Sequence, residues 1–149
     1  MKKLFAVVIT CNIALTSLAA APPEKATEIP LKEVSAQVVQ YIKAHSTGDF
    51  SIFEKAVSRY FIEKGGGEKE YRKFLMSQKT TYKGTSPRDI EVLPYPGNPE
   101  KFVTRYNLVR GKKIITRKNA SWLVVQKDEQ GHWRIHDALT DYDPTDKGP

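Results

Sequence analysis

The period at which apolar residues recur changes once along this chain, and that change limits its fold more than any single motif does. Between residues 31 and 78 the apolar positions fall three and four apart, whereas between 90 and 139 they alternate. The first spacing lines one face of a helix and the second one face of a strand. Helices followed by strands predict an α+β fold, with the helices packed on one face of an antiparallel sheet.

Leu31, Val34, Val38, Tyr41, Ile42 and His45 mark a first helix that ends before Gly48. Asp49 suits an N-cap, and Phe50, Phe53, Val57 and Phe61 continue the spacing, which predicts a second, shorter helix through about Tyr60. Gly65-Gly66-Gly67 breaks it. Glu68 and Glu70 carry charge suited to a helix N-terminus, and Tyr71, Phe74, Leu75 and Gln78 define the face of a third helix. Ile90 and Val92 alternate before the cluster Pro94-Tyr95-Pro96-Gly97-Asn98-Pro99 forces a turn. In the next strand Phe102, Thr104, Tyr106 and Leu108 share one side, with Val103, Arg105, Asn107 and Val109 on the other. Arg110-Gly111-Lys112-Lys113 reads as a hairpin turn. A long strand is predicted from Ile114 to Gln126, and beyond Asp128-Glu129-Gln130-Gly131 a last one runs from His132 to about Leu139. The expectation is three helices on an antiparallel sheet of about four strands.

A chain of 149 residues fits one domain. Lys2 and Lys3 precede an apolar stretch from Leu4 to Leu15, and Ser17-Leu18-Ala19 supplies small residues at the positions a signal peptidase reads. Residues 1–19 are therefore expected to be a bacterial secretory signal peptide, cleaved after Ala19 or, as the alternative, after Ala20, placing the protein in the periplasm or outside the cell. Cleavage would remove Cys11, the only cysteine, and with it any thiol chemistry. A single cysteine also excludes an internal disulfide and a cysteine-based zinc site. Residues 20–30, with three prolines, read as a flexible lead-in, residues 31–140 as the domain, and 141–149 as a loose tail. Past the first segment no apolar run approaches the length of a membrane span, so an integral membrane protein is not expected.

Two stretches carry a likeness to a known family. VVQYIKAHSTGDFSIFEKAVSRYF, from Val38 to Phe61, has a helix ending at Gly-Asp and an aromatic second helix. SWLVVQKDEQGHWRIHD, from Ser121 to Asp137, has a Trp-rich strand, an acidic glycine turn and a Trp-x-Ile strand. Together they resemble the opening and closing segments of the NTF2-like superfamily, also called SnoaL-like or cystatin-like. The resemblance covers roughly residues 31–139 and implies a cone in which helices plug a strongly curved sheet. It also implies a possible homodimer through that sheet. Members include isomerases, dehydratases, polyketide cyclases and non-catalytic binding modules, so the fold does not choose the function.

Enzymes of that family place an Asp or His inside the cone as a general base. Asp137 shares the strand side of Trp133 and Ile135, while His132, Arg134 and His136 take the other, so His136 and Asp137 should not meet in one pocket. His45 lies near the end of the first helix, where a cationic imidazole would suit the dipole, and Tyr41 is one turn before it. Asp137, His45 and Tyr41 are the catalytic candidates. His132 and His136 stand about 13 Å apart along a strand, too far for one metal ion. Asp141, Asp143 and Asp146 lack the glycine and terminal glutamate of a calcium loop. The triple glycine lacks the following Lys-Ser or Lys-Thr of a phosphate loop. No metal and no cofactor is expected.

The strongest surface signal is charge. Lys101, Arg105, Arg110, Lys112, Lys113, Arg117 and Lys118 place seven cations and no acid between 101 and 118. A hairpin would gather Arg105, Arg110, Lys112, Lys113, Arg117 and Lys118 at one end of the sheet as a partner-binding surface. The expected function is recognition: a non-catalytic binding or accessory protein, inhibitor or immunity-type, whose partner is an envelope protein or an anionic cell-surface component. Tyr95, Tyr106 or Trp122 would add apolar contact if exposed. Nucleic acid is not an expected partner of a secreted chain, despite 24 basic against 17 acidic residues. The alternatives are a SnoaL-like enzyme and a carrier of a small apolar ligand in the cone.

Overall fold

A computed structural model describes residues 29–118 and 121–144. The proposed signal peptide, Cys11, most of the lead-in and the last five residues lie outside the described residues. Four helices precede five strands: α1 (Leu31–Thr47), α2 (Phe50–Ala56), α3 (Arg59–Lys64), α4 (Glu68–Tyr82), β1 (Thr85–Tyr95), β2 (Asn98–Arg110), β3 (Lys113–Thr116), β4 (Ser121–Lys127) and β5 (Trp133–Thr140). All strand pairs are antiparallel, in the order β1-β2-β4-β5, and β3 pairs with β2. The fold is α+β with an open antiparallel sheet.

Local chemistry sets the helix ends. Gly48 takes φ 72° and returns its N–H to Ala44, closing α1. Asp49 then caps α2 by accepting from the Ser51 amide at 2.8 Å. The single helix expected from Phe50 to about Tyr60 is two. Val57 is extended, and its neighbour Ser58 donates its N–H to the Ile135 carbonyl at 2.8 Å while capping α3 through Phe61 N–H. Val57 and Ile135 form a parallel bridge, so the break between α2 and α3 covers the outer edge of β5.

The sheet breaks where the sequence predicted continuity. Residues 114–126 form two strands, β3 against the end of β2 and β4 against its start. Arg117 and Lys118 separate them, and Lys118 has a positive φ of 41°. β1 is longer than the Ile90–Val92 pattern suggested, because Asp89 at φ 51° and a register shift between Arg88 and Glu91 interrupt its alternation.

Phe102, Tyr106 and Leu108 on β2 join Leu123, Val125 and Ile135 in packing beneath Val34, Val38, Ile42, Phe53 and Leu75 from the helices. Each fully buried side chain of this kind contributes about 1.5–3 kcal/mol. Val103, Trp122 and Val124 form a second cluster with Leu93, Tyr95, Leu139 and Tyr142. Tyr142 packs beside Tyr95 and Trp122, so the docked chain runs at least that far into the segment expected to be loose.

Candidate functional site

The basic hairpin is built by the antiparallel return of β3 along β2, with Gly111 at φ 58° in the turn. Every residue from Arg110 to Lys118 is exposed. The six cations expected to act together have separate duties. Arg105 lies 4.2 Å from the Trp122 ring centre and reaches Glu91 at 3.3 Å. Arg110 donates from Nε to the Lys83 carbonyl at 3.0 Å and from Nη2 to that of Thr81 at 2.8 Å, satisfying carbonyls at the end of α4. Lys118 approaches Glu91 at 4.0 Å. Lys112, Lys113 and Arg117 make no ion pair among the described residues.

One further cation joins them. The bond from Arg110 and the pairing of Thr85 with Arg110 place Lys83, also exposed, beside the hairpin tip. Nothing local to position 83 signals this, since it follows from the pairing of β1 with β2. The aromatic contacts expected alongside the cations are not on offer. Tyr106 and Trp122 are buried, and Tyr95 is half-buried against Tyr142.

His45 is not a cationic helix cap. It is 2% exposed, and its ring sits 4.5 Å from Tyr41, 5.1 Å from Tyr82, 5.6 Å from Phe74 and 5.9 Å from Phe53, centre to centre. Neither ring nitrogen has a hydrogen-bond partner. Burial pushes its pKa down to about 4, so the imidazole is neutral at neutral pH. Tyr41 goes the other way: burial, then the neighbouring phenols of Tyr106, Tyr82 and Tyr71, raise it far above the ordinary value, and it stays protonated. A base with so low a pKa packed against rings is poorly matched to proton abstraction near pH 7.

Asp137 and His136 meet the same helix, contrary to strict alternation. Val124 pairs with Asp137 and Val125 with Ile135, which leaves His136 as an extra residue in a bulge. His136 stacks on Tyr60 at 4.6 Å and 12°, and Asp137 receives Lys64 Nζ at 2.8 and 3.0 Å, both on α3. Partial burial pushes the Asp137 carboxyl up. The hydrogen bonds from Lys64 and the Ala138 amide, with the charges of Lys64 and His136, outweigh it and hold the group below the usual carboxylate range. An ionised carboxylate tied to a lysine is a structural clamp, and α3 supplied partners that strand-by-strand reading did not reveal.

An open groove of about 650 Å³ lies between α2, α3 and the β4–β5 turn, lined by Glu54, Arg59, Tyr60, Gln126, Glu129 and His136 among others. Arg134 braces it, donating to Asp128 at 3.1 Å and to the Lys55 carbonyl. Among the described residues no set of three or more His, Cys, Asp or Glu is placed to hold a metal ion, and no helix is long and apolar enough to cross a membrane. The chain matches no protein-family model, no curated protein and no solved structure.

Proposed function

We propose that this chain is a non-catalytic binding protein of the bacterial periplasm or cell exterior, an NTF2-like domain that recognises an anionic, envelope-associated partner through the β2–β3 hairpin. The observation that carries this reading is the grouping of Lys83, Lys112, Lys113 and Arg117, exposed and outside any ion pair among the described residues, at one end of the sheet. Cations engaged within a fold add little to recognition, whereas unengaged ones steer an oppositely charged partner and fix its orientation. Arg105 and Arg110 support the hairpin from within, and Lys118 contributes at its margin. A SnoaL-like isomerase, dehydratase or cyclase is the weaker reading, because His45 and Tyr41 are packed among aromatic rings and Asp137 is held by Lys64.

Charge reversal tests the proposal. With the protein immobilised and challenged with its native envelope fraction, Lys112→Glu with Lys113→Glu should abolish capture while leaving thermal unfolding unchanged. Capture that survives the reversal refutes the hairpin as the recognition surface.

A further inference from the structure

The hairpin carries more than charge. Ile114 and Ile115, adjacent on β3, are 39% and 43% exposed, and Lys112 and Lys113 precede them while Arg117 and Lys118 follow. A register shift between Leu108 and Val109 leaves Ile115 as an extra residue, so the pair departs from the alternation that would turn one of them inward. Among the described residues β3 pairs with β2 alone and packs mainly against it, and no described strand pairs with its other edge. Two adjacent aliphatic side chains thus stand in solvent on a four-residue edge strand, bracketed at both ends by cations.

We infer that this hairpin docks on an anionic phospholipid surface, with Lys112, Lys113, Arg117 and Lys83 against the headgroups and Ile114 and Ile115 inserted among them. The inference rests on the proposed function and names its partner. Charge complementarity calls for an anionic partner, and area favours lipid over protein. A stable protein–protein interface takes about 20–30 residues a side around an apolar centre, and two isoleucines on a short edge strand fall far below that. A lipid interface needs no such area. Each basic residue near an anionic surface strengthens partitioning by about fivefold, and a few inserted aliphatic groups add to it independently. The backbone edge of β3 that no described strand pairs with fits the same depth, since water among the headgroups satisfies N–H and C=O groups that hydrocarbon would leave unpaired.

Vesicle co-sedimentation tests this, using the protein in the form the cell accumulates, so that the N-terminal segment is identical in every variant. The probes are phosphatidylglycerol–phosphatidylethanolamine vesicles, neutral phosphatidylcholine vesicles and a poly-glutamate matrix. The expected result is binding to the anionic vesicles alone among the two lipids, weakened at least tenfold both by Lys112→Glu with Lys113→Glu and by Ile114→Ser with Ile115→Ser. All four residues are exposed, the isoleucines at 39% and 43%, and circular dichroism checks that each variant folds. Anionic-vesicle binding that the isoleucine substitutions leave unchanged overturns the inference, as does equal binding to neutral vesicles. If the protein ignores vesicles yet is held on poly-glutamate through Lys112 and Lys113, the lipid inference fails and the anionic-partner reading stands. If it is held by neither, both fall.

Discussion

Replacing the imidazole of His45 by a phenyl ring should remove one defined part of the domain's acid sensitivity. The wild-type ring is 2% exposed with both nitrogens unpartnered, and burial lowers its pKa to about 4. In the unfolded chain the same group titrates near 6.5. Between these values the unfolded state binds the proton and the folded state does not, so stability is complete above about pH 6.5 and declines as the pH falls toward 4. Below the folded pKa both states are protonated and the loss levels off. The two pKa values correspond to a total of about 3 kcal/mol, of which about 2.5 kcal/mol should be gone by pH 4.5. His45→Phe keeps the ring contacts with Tyr41, Phe53, Phe74 and Tyr82 and has nothing to titrate. It also removes an unpaired buried donor and acceptor, each costing about 1–3 kcal/mol, against about 1–3 kcal/mol for its larger ring. That balance is the same at every pH and cannot imitate a pH-dependent difference. Urea unfolding of wild type and variant at several pH values from 7.5 to 4.5 measures it. Aspartates 49, 128 and 137, whose folded-state pKa values are also lowered, destabilise both proteins equally in acid and drop out of the comparison. The stability difference should widen in favour of the variant as the pH falls. Parallel curves would show that His45 is protonated in the fold or reaches water, and would refute the reasoning.

Arg110→Ala should weaken folding by about 1–2 kcal/mol, because the Thr81 and Lys83 carbonyls lose their donor, yet leave partner capture largely intact, as paired unfolding and binding assays would show. Gly65→Ala should lower the melting temperature by several degrees. Its Cβ would clash with the Tyr71 ring, which lies 4.8 Å from Phe53 centre to centre, and overpacking there costs about 1–3 kcal/mol. Lys64→Met should raise the Asp137 pKa, read by carboxyl NMR titration, since the lysine supplies both a hydrogen bond and a charge that favour the ionised form. An unchanged Asp137 titration would remove the clamp described between α3 and β5.

The helical half was legible because its burial is one-sided, and the sheet because its strands keep a period of two even though Val103, Trp122 and Val124 bury its second face. Val34, Val38 and Ile42 fall inward at helical spacing, and Phe102 and Tyr106 at strand spacing. The break at Val57 was hidden by the same spacing, since Phe61 resumes the buried face after it. Ser58, placed three residues before Phe61, was the available sign of a new helix start. The bulge at His136 left no such sign. It depends on how β5 meets β4 and on Tyr60 and Lys64, more than seventy residues earlier in the chain, and it sets against one helix two side chains that alternation separates. The charge run between 101 and 118 marked the basic segment by composition. It could not separate Arg105 and Arg110, which brace the fold, from Lys112, Lys113 and Arg117, because that division depends on Trp122, Glu91 and the end of α4. The exposure of Ile114 and Ile115 was equally out of reach, since alternation assigns one of them to the core.

Recognition through the hairpin tip is most directly tested by amide NMR of the labelled protein titrated with phosphatidylglycerol-containing bicelles. The account predicts that the perturbed signals gather at Lys83 and at residues 110–118. Changes gathered instead around Tyr60, Gln126 and His136 in the groove, or around His45 in the interior, would contradict it.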